Sequence, residues 1–229
     1  MNRVLTIIDK EWAEVFKQRV VLFVMILVPL LFTILPLVML SATKGTGVEG
    51  MDISGAGLPE GAAAICVGMN AAECVQAFML NQFMLMFMMM PLMIPITIAA
   101  YSIVGEKTTH SLEPLLATPI STTELLAGKM LAAVIPAVIV SALAFILFIA
   151  GMFVLGISPV VRAYILSPTW LLSILVIGPI MSVIAVIFAL FISSRVNEPR
   201  QAEQISGVVI MPLLGVMMAQ MAGLIVIDL

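Results

Sequence analysis

The chain has 229 residues, of which 62% are hydrophobic and 10% charged, with a net charge of −3 at pH 7. Soluble domains carry about 25% charged residues, so a water-soluble core is excluded and lipid must be the solvent for most of this surface. With so small a net charge and no basic stripe, nucleic acid is not an expected partner.

In lipid, each backbone N–H and C=O must be paired within its own segment, which leaves helices or closed barrels. Barrel strands would alternate apolar and polar residues, and the apolar runs here do not. The expected fold is therefore an all-α integral membrane protein. It forms one domain, 1–229, with an N-terminal interfacial helix and five transmembrane helices.

Residues 2–19 read as an amphipathic helix. Val4, Leu5, Ile8, Trp12, Val15 and Phe16 take one face, and Arg3, Asp9, Lys10, Glu14, Lys17 and Gln18 the other. Such a helix lies in the interface plane, where Trp12 suits the headgroup boundary. The five apolar runs follow at 20–41, 80–104, 130–155, 170–193 and 205–227. Each reaches the ~20 residues needed to cross a bilayer core. Each also holds proline: Pro29 and Pro36, Pro91 and Pro95, Pro136, Pro179, and Pro212. Proline removes a ladder hydrogen bond and bends the helix.

Orientation follows from Lys and Arg. Arg3, Lys10, Lys17, Arg19, Lys107, Lys129, Arg195 and Arg200 fall on the side of the N-terminus, and only Lys44 and Arg162 on the other. The positive-inside rule then makes the N-terminus cytoplasmic. The first run is too long for a signal-peptide core and follows nineteen residues of mixed charge, so it is read as a span.

The segment 42–79 is external in this reading, glycine-rich, and too small for a separate folded domain. It carries both cysteines, Cys66 and Cys74, on the oxidising side. They are either a disulfide or two thiols in a short helix. The second external segment, 156–169, is short, with Ser167 and Pro168 as cap and first position of the fourth helix.

The most informative polar stretch is 105–129. Leu112, Leu115 and Leu116 make a short apolar face, Thr118 and Pro119 break it, and Ser121 and Glu124 form a capping box that restarts the helix. From the residues alone this is either an ordinary structured loop or a docking element at the inner membrane surface.

The same stretch resembles the cytoplasmic loop of permease subunits of the type 2 ABC transporters. The match runs through Gly105-Glu106, Ser111-Leu112-Glu113, Leu115-Leu116, Thr118-Pro119-Ile120-Ser121, Glu124-Leu125-Leu126 and Gly128-Lys129, with Pro114 where the family usually has a polar residue. The link Ser194 to Ala202, SRVNEPRQA, is similar to a second family signature. The resemblance implies a half-transporter of a bacterial or archaeal cytoplasmic membrane. It would pair with a second copy or a paralogue and rest on separate cytoplasmic ABC ATPase subunits, which would hold the ATP and Mg. It further implies that Glu106, Ser111, Leu112, Glu113, Leu115, Leu116, Thr118 and Pro119 couple to the ATPase. The family usually has six spans, and five are counted here; a chain cut short before a sixth is the expectation.

No P-loop is present: Thr123 stands where GxxxxGK[ST] needs its first glycine, and Met130 where it needs Ser or Thr. The chain is therefore expected to be a transport subunit, with no catalytic, cofactor or metal residues of its own. His110 has no catalytic or ligand partners nearby in sequence and reads as a polar loop residue.

Met79, Met84, Met86, Met88, Met89, Met90 and Met93 crowd the second run. They would either carry Cu(I), as copper-related members of the resembling family do, or offer an adaptable apolar wall. Gly215, Ala219 and Gly223 follow the small-xxx-small spacing of helix contacts. Asn81, Gln82 and Gln220 are the strongest polar groups in or near the spans; they would either line a path or, for Asn81 and Gln82 near a span end, only meet headgroups.

Ion-coupled transport needs ionisable groups inside the membrane, and the five runs hold none. An intramembrane enzyme is weaker still, for want of any carboxylate pair or Ser–His pair there. An export permease leads, with a non-transporting accessory subunit as the alternative.

Overall fold

The computed structural model describes residues 3–43, 66, 68–108 and 121–222. Five helical stretches in them are long and apolar enough to cross a membrane, and no strand occurs among the described residues. Residues 109–120 lie outside the described part. They include six of the eight residues that the family resemblance ties to the ATPase, Ser111, Leu112, Glu113, Leu115, Leu116 and Thr118, together with a seventh, Pro119, and His110.

Helix α1 (Arg3–Val15) precedes the first span, α2 (Arg19–Thr43). The second span is made of two helices, α3 (Ala71–Phe87) and α4 (Met90–Thr108). It begins well before residue 80: Asn70 caps α3, accepting from the Glu73 amide while Glu73 reaches back to the Asn70 N–H. The Cys66 and Cys74 sulfurs are joined as a disulfide beside this cap.

The third span is one helix, α5 (Thr122–Val154), started by the Ser121–Glu124 capping box. It stops where Gly156 turns left-handed at φ 60°. There the Ile157 N–H reaches the Met152 carbonyl and the Gly156 N–H that of Phe153, a Schellman ending that needs glycine.

The segment 156–169, expected as a short external connection, holds helix α6 (Pro159–Ile165). Its signal was Ser158-Pro159: the serine caps the Val160 amide and also donates to Glu73 of α3. The fourth span follows as α7 (Pro168–Leu172), a π-helical turn over Ser173–Ile177, and α8 (Gly178–Arg195). The last is α9 (Pro199–Ser206), a 3₁₀ turn over Gly207–Ile210, and α10 (Met211–Met221).

The second span is the axis of the bundle. Of its apolar stretch 78% is buried, against 11% in the fifth span and intermediate values elsewhere. The α4 segment packs chiefly on α8, with α5, α2 and α9 around it. The core is apolar and dense, with Met84, Met90, Phe148, Met152 and Trp170 almost fully enclosed. Outward faces of α2, α5 and the fourth span carry Phe23, Ile34, Ile146, Leu175 and Phe191 exposed, as lipid-facing surfaces should.

The prolines set the irregularities, and the backbone groups they strand are met locally. Pro212 cannot donate to the Val208 carbonyl, so the Met211 N–H takes it in a 3₁₀ turn. Before Pro179 the ladder widens, and the Gly178 N–H bonds the Ser173 carbonyl in a π-turn. Pro95 strands the Pro91 carbonyl, which Ser182 of α8 supplies with a hydrogen bond of 2.7 Å. Pro136 strands the Ala132 carbonyl, and the Trp12 indole N–H donates to it at 3.0 Å. Trp12, expected at the headgroups, is thus a plug for a broken helix ladder.

This predicts a non-additive pair. Trp12→Phe leaves a carbonyl unpaired and should cost about 1–3 kcal/mol. Pro136→Ala supplies a new N–H to Ala132, so Trp12→Phe with Pro136→Ala should recover most of that loss. Thermal unfolding of the four proteins in one detergent measures the coupling.

Candidate functional site

Helix α1 does not bury the face that its hydrophobicity alone would choose. The stripe turned inward is Ile7, Ile8, Glu11 and Val15, while Leu5 and Phe16 are left exposed. The register is set by contact with α5. A Cβ on Gly128 would stand 2.7 Å from Ile7 Cγ2, so only glycine lets α1 approach this closely. Glu11, one turn beyond Ile7, is then carried inward onto the residue after that glycine.

Three helices meet there. The Lys129 ammonium of α5 lies 2.6 Å from Glu11 Oε1 and 3.0 Å from Glu106 Oε2, and donates at 2.9 Å to Ser102 Oγ. Ser102, one turn before Glu106 on α4, donates in turn to Glu11 Oε2 at 2.8 Å. The remaining Glu106 oxygen, Oε1, accepts from Lys10 at 2.6 Å, and Lys10 also faces Glu14 at 3.6 Å. The side chains of Lys129 and Glu106 are each 1% exposed and that of Glu11 4%.

The core of this cluster is two carboxylates against two ammonium groups, so it closes electrically neutral. All four carboxylate oxygens of Glu11 and Glu106 face a donor. A buried ion pair is tolerable only on those terms.

Lys10 sits at the wet edge. Burial alone would lower its ammonium, but the hydrogen bond and charge of Glu106, with Glu14 and Glu11 behind, outweigh this and raise it above its ordinary 10.5. A raised folded value means that this pair stabilises fully below the unfolded pKa. Its contribution is lost only as pH rises through the raised value, well above neutrality.

The arrangement is mechanical in character. Glu106 and Lys129 stand at the two roots of the link 109–120, and their ion pair ties those roots together and to α1. Glu106, grouped by its place in the sequence with the docking residues, is turned into the bundle. Whatever it contributes to coupling passes through α1 and α5. Glu11 belonged to neither expected face of α1, and its partner lies 118 residues away, so no local pattern could have paired them. The legible trace was the Gly-Glu and Gly-Lys at the ends of the polar stretch.

Other expected residues are placed as follows. Ser121 and Glu124 cap α5. Around Gly215 a Cβ would meet nothing within 4 Å among the described residues, and Gly223 lies outside them. Met84 and Met90 are core residues, and Met88 borders a cavity. Asn81 and Gln220 are each 1% exposed, and among the described residues neither their amide atoms nor those of Gln82 have a hydrogen-bond partner.

The described residues thus form a multi-pass helical bundle with an enclosed charge cluster where α1, α4 and α5 meet. The chain belongs to the ABC-2 family of transporter permeases: the family model described as ABC-2 family transporter protein matches residues 5–228. No curated protein matches it.

Removing one member of the clamp should be severe. Lys129→Met leaves a buried carboxylate uncompensated and should cost about 3–5 kcal/mol. Adding Glu11→Gln restores charge balance and should return part of it. Thermal stability of the single and double variants, purified in detergent, reads both effects.

Proposed function

We propose that this protein is the membrane-spanning permease of an ATP-driven exporter, coupled to a separate cytoplasmic ATPase through the link between α4 and α5. ATP and Mg are held by that ATPase. Cargo crosses between this chain and a second permease, identical or paralogous, as ATPase closure switches the cavity from inward to outward access. The N-terminus lies in the cytoplasm, in keeping with the excess of Lys and Arg on its side of the membrane.

The observation that carries this reading is the ion pair across the roots of the link. A flexible loop would absorb a push from a docked partner. Helix ends bonded to each other through Glu106 and Lys129, and through Glu11 and Lys10 to α1, move as one piece under a push delivered to the link between them. Packed interfaces shift between discrete arrangements rather than deforming smoothly, so such a lever can hand a displacement to α4, the most enclosed part of the bundle. Family membership supports the same direction of coupling.

The test is co-purification with the ABC ATPase subunit proposed as its partner. Leu116→Asp puts a charge on the apolar face of the link. It should lower stimulation of ATP hydrolysis about tenfold, the effect of losing about 1.4 kcal/mol of docking free energy. Glu113→Ala should lower it less, and both proteins should still insert in the membrane. Full stimulation in both variants overturns the coupling role.

A further inference from the structure

A cavity of about 530 Å³ lies between the second, third and fourth spans, at the Lys129 end of the bundle. On α5 its wall is Thr123, Leu126, Ala127 and Met130, and on α8 it is Ile187, Leu190, Phe191 and Ser194, with Ile103 of α4 completing the lining. Each set of four follows the spacing i, i+3, i+4, i+7, a single helix face. Leu126, Ile187 and Phe191 are exposed, so the cavity is a groove open to the bilayer.

The groove is polar at one end only. Helix α5 begins at Thr122 and α8 ends at Arg195, so the hydroxyls of Thr123 and Ser194 both stand at the membrane boundary. Met130 and Ile187 lie seven residues further along their helices, about 10 Å deeper. A cation marks the polar end: the Arg195 guanidinium lies over the ring of Phe191, a wall residue, 5.2 Å from its centroid. Among the described residues no carboxylate is within ion-pair distance of Arg195. Glu124, next in sequence to Thr123, is engaged by the Ser121 amide in the helix cap. A guanidinium resting on an aromatic face keeps its fork of N–H groups at the edge, where a phosphate can be met by two bonds.

We infer that this groove binds an anionic phospholipid of the adjoining leaflet, with an acyl chain along the α5 and α8 walls and the phosphate on Arg195. The exposed walls face the bilayer, which supplies the chain, and the cation at the polar end selects the charge of the head. A zwitterionic head brings its own cation to compete with Arg195 and is held less tightly. Two wall residues, Ile103 and Met130, each follow a clamp residue, Ser102 and Lys129, so the bound lipid touches the helix turns that carry the clamp. The inference needs only a bundle embedded in a membrane and stands apart from the transport reading.

The test uses the full chain in nanodiscs and two probes with a photoreactive acyl chain of equal length, a phosphatidylglycerol and a phosphatidylcholine. The anionic probe should label peptides bearing Leu126–Met130 or Ile187–Phe191 about fivefold more than the zwitterionic one, the effect of one Arg beside an anionic head. Arg195→Gln should bring the two probes level, and Arg195→Lys, which keeps the charge, should keep much of the preference. Ala127→Trp fills the groove and should lower labelling by both. The exposed face of α2, at Leu30 to Leu35, is the reference and should label equally in every variant.

The Arg195 variants change an exposed side chain, so they decide the matter whatever Ala127→Trp does to folding. Equal labelling of the groove peptides by both probes, or a preference unchanged in Arg195→Gln, overturns the site. So does a fall that extends equally to the α2 face, or cross-linking of the groove peptides to a second copy of the chain in place of lipid.

Discussion

An ammonium group buried where three helices meet needs anionic partners in place, and the bundle is arranged to provide them. Lys129 finds two carboxylates and a hydroxyl, one carboxylate from α1 and the other groups from α4. The requirement fixes the rotation of α1, since only one register brings Glu11 inward while Ile7 fills the gap over Gly128. It also fixes how closely the ends of α4 and α5 approach. The interfacial helix is thereby part of the core, although its outer face still suits headgroups.

Backbone satisfaction is the second constraint. In lipid a carbonyl freed by proline has no water to turn to, and this chain places proline in every span. The repairs differ by location. A 3₁₀ turn and a π-turn serve where the helix can retighten or widen on its own, and Ser182 or Trp12 serves where a neighbouring helix is close enough to donate. The latter two repairs join elements, α8 to α4 and α1 to α5. The same residues that bend the spans therefore specify which helices lie together.

Much of this could be read in advance. The spans are one-dimensional signals, long runs without charge, and the Ser121–Glu124 cap is local in sequence. What was hidden depended on distance along the chain. Glu11 meets Lys129 only in the folded bundle, and Trp12 meets a carbonyl stranded by a proline 124 positions later, so an aromatic belt was the natural expectation. Helix α6 was legible in Ser158-Pro159, where a proline after a capping serine opens a helix, but its seven residues are too few to show an apolar period. The burial of Asn81 could not be foreseen from residue type, because its position at the start of the second expected run also suits a span end near headgroups.

The wide separation of Glu11 and Lys129 bears on how the protein is made. Helix α1 leaves the ribosome before the third crossing, and Lys129, the basic partner of its Glu11, is synthesised 118 residues later. At about 5–20 residues per second, α1 waits several seconds or more at the membrane surface with Glu11 still hydrated. Its seating is thus a late event of biogenesis, closing over the bundle only after the third crossing has emerged.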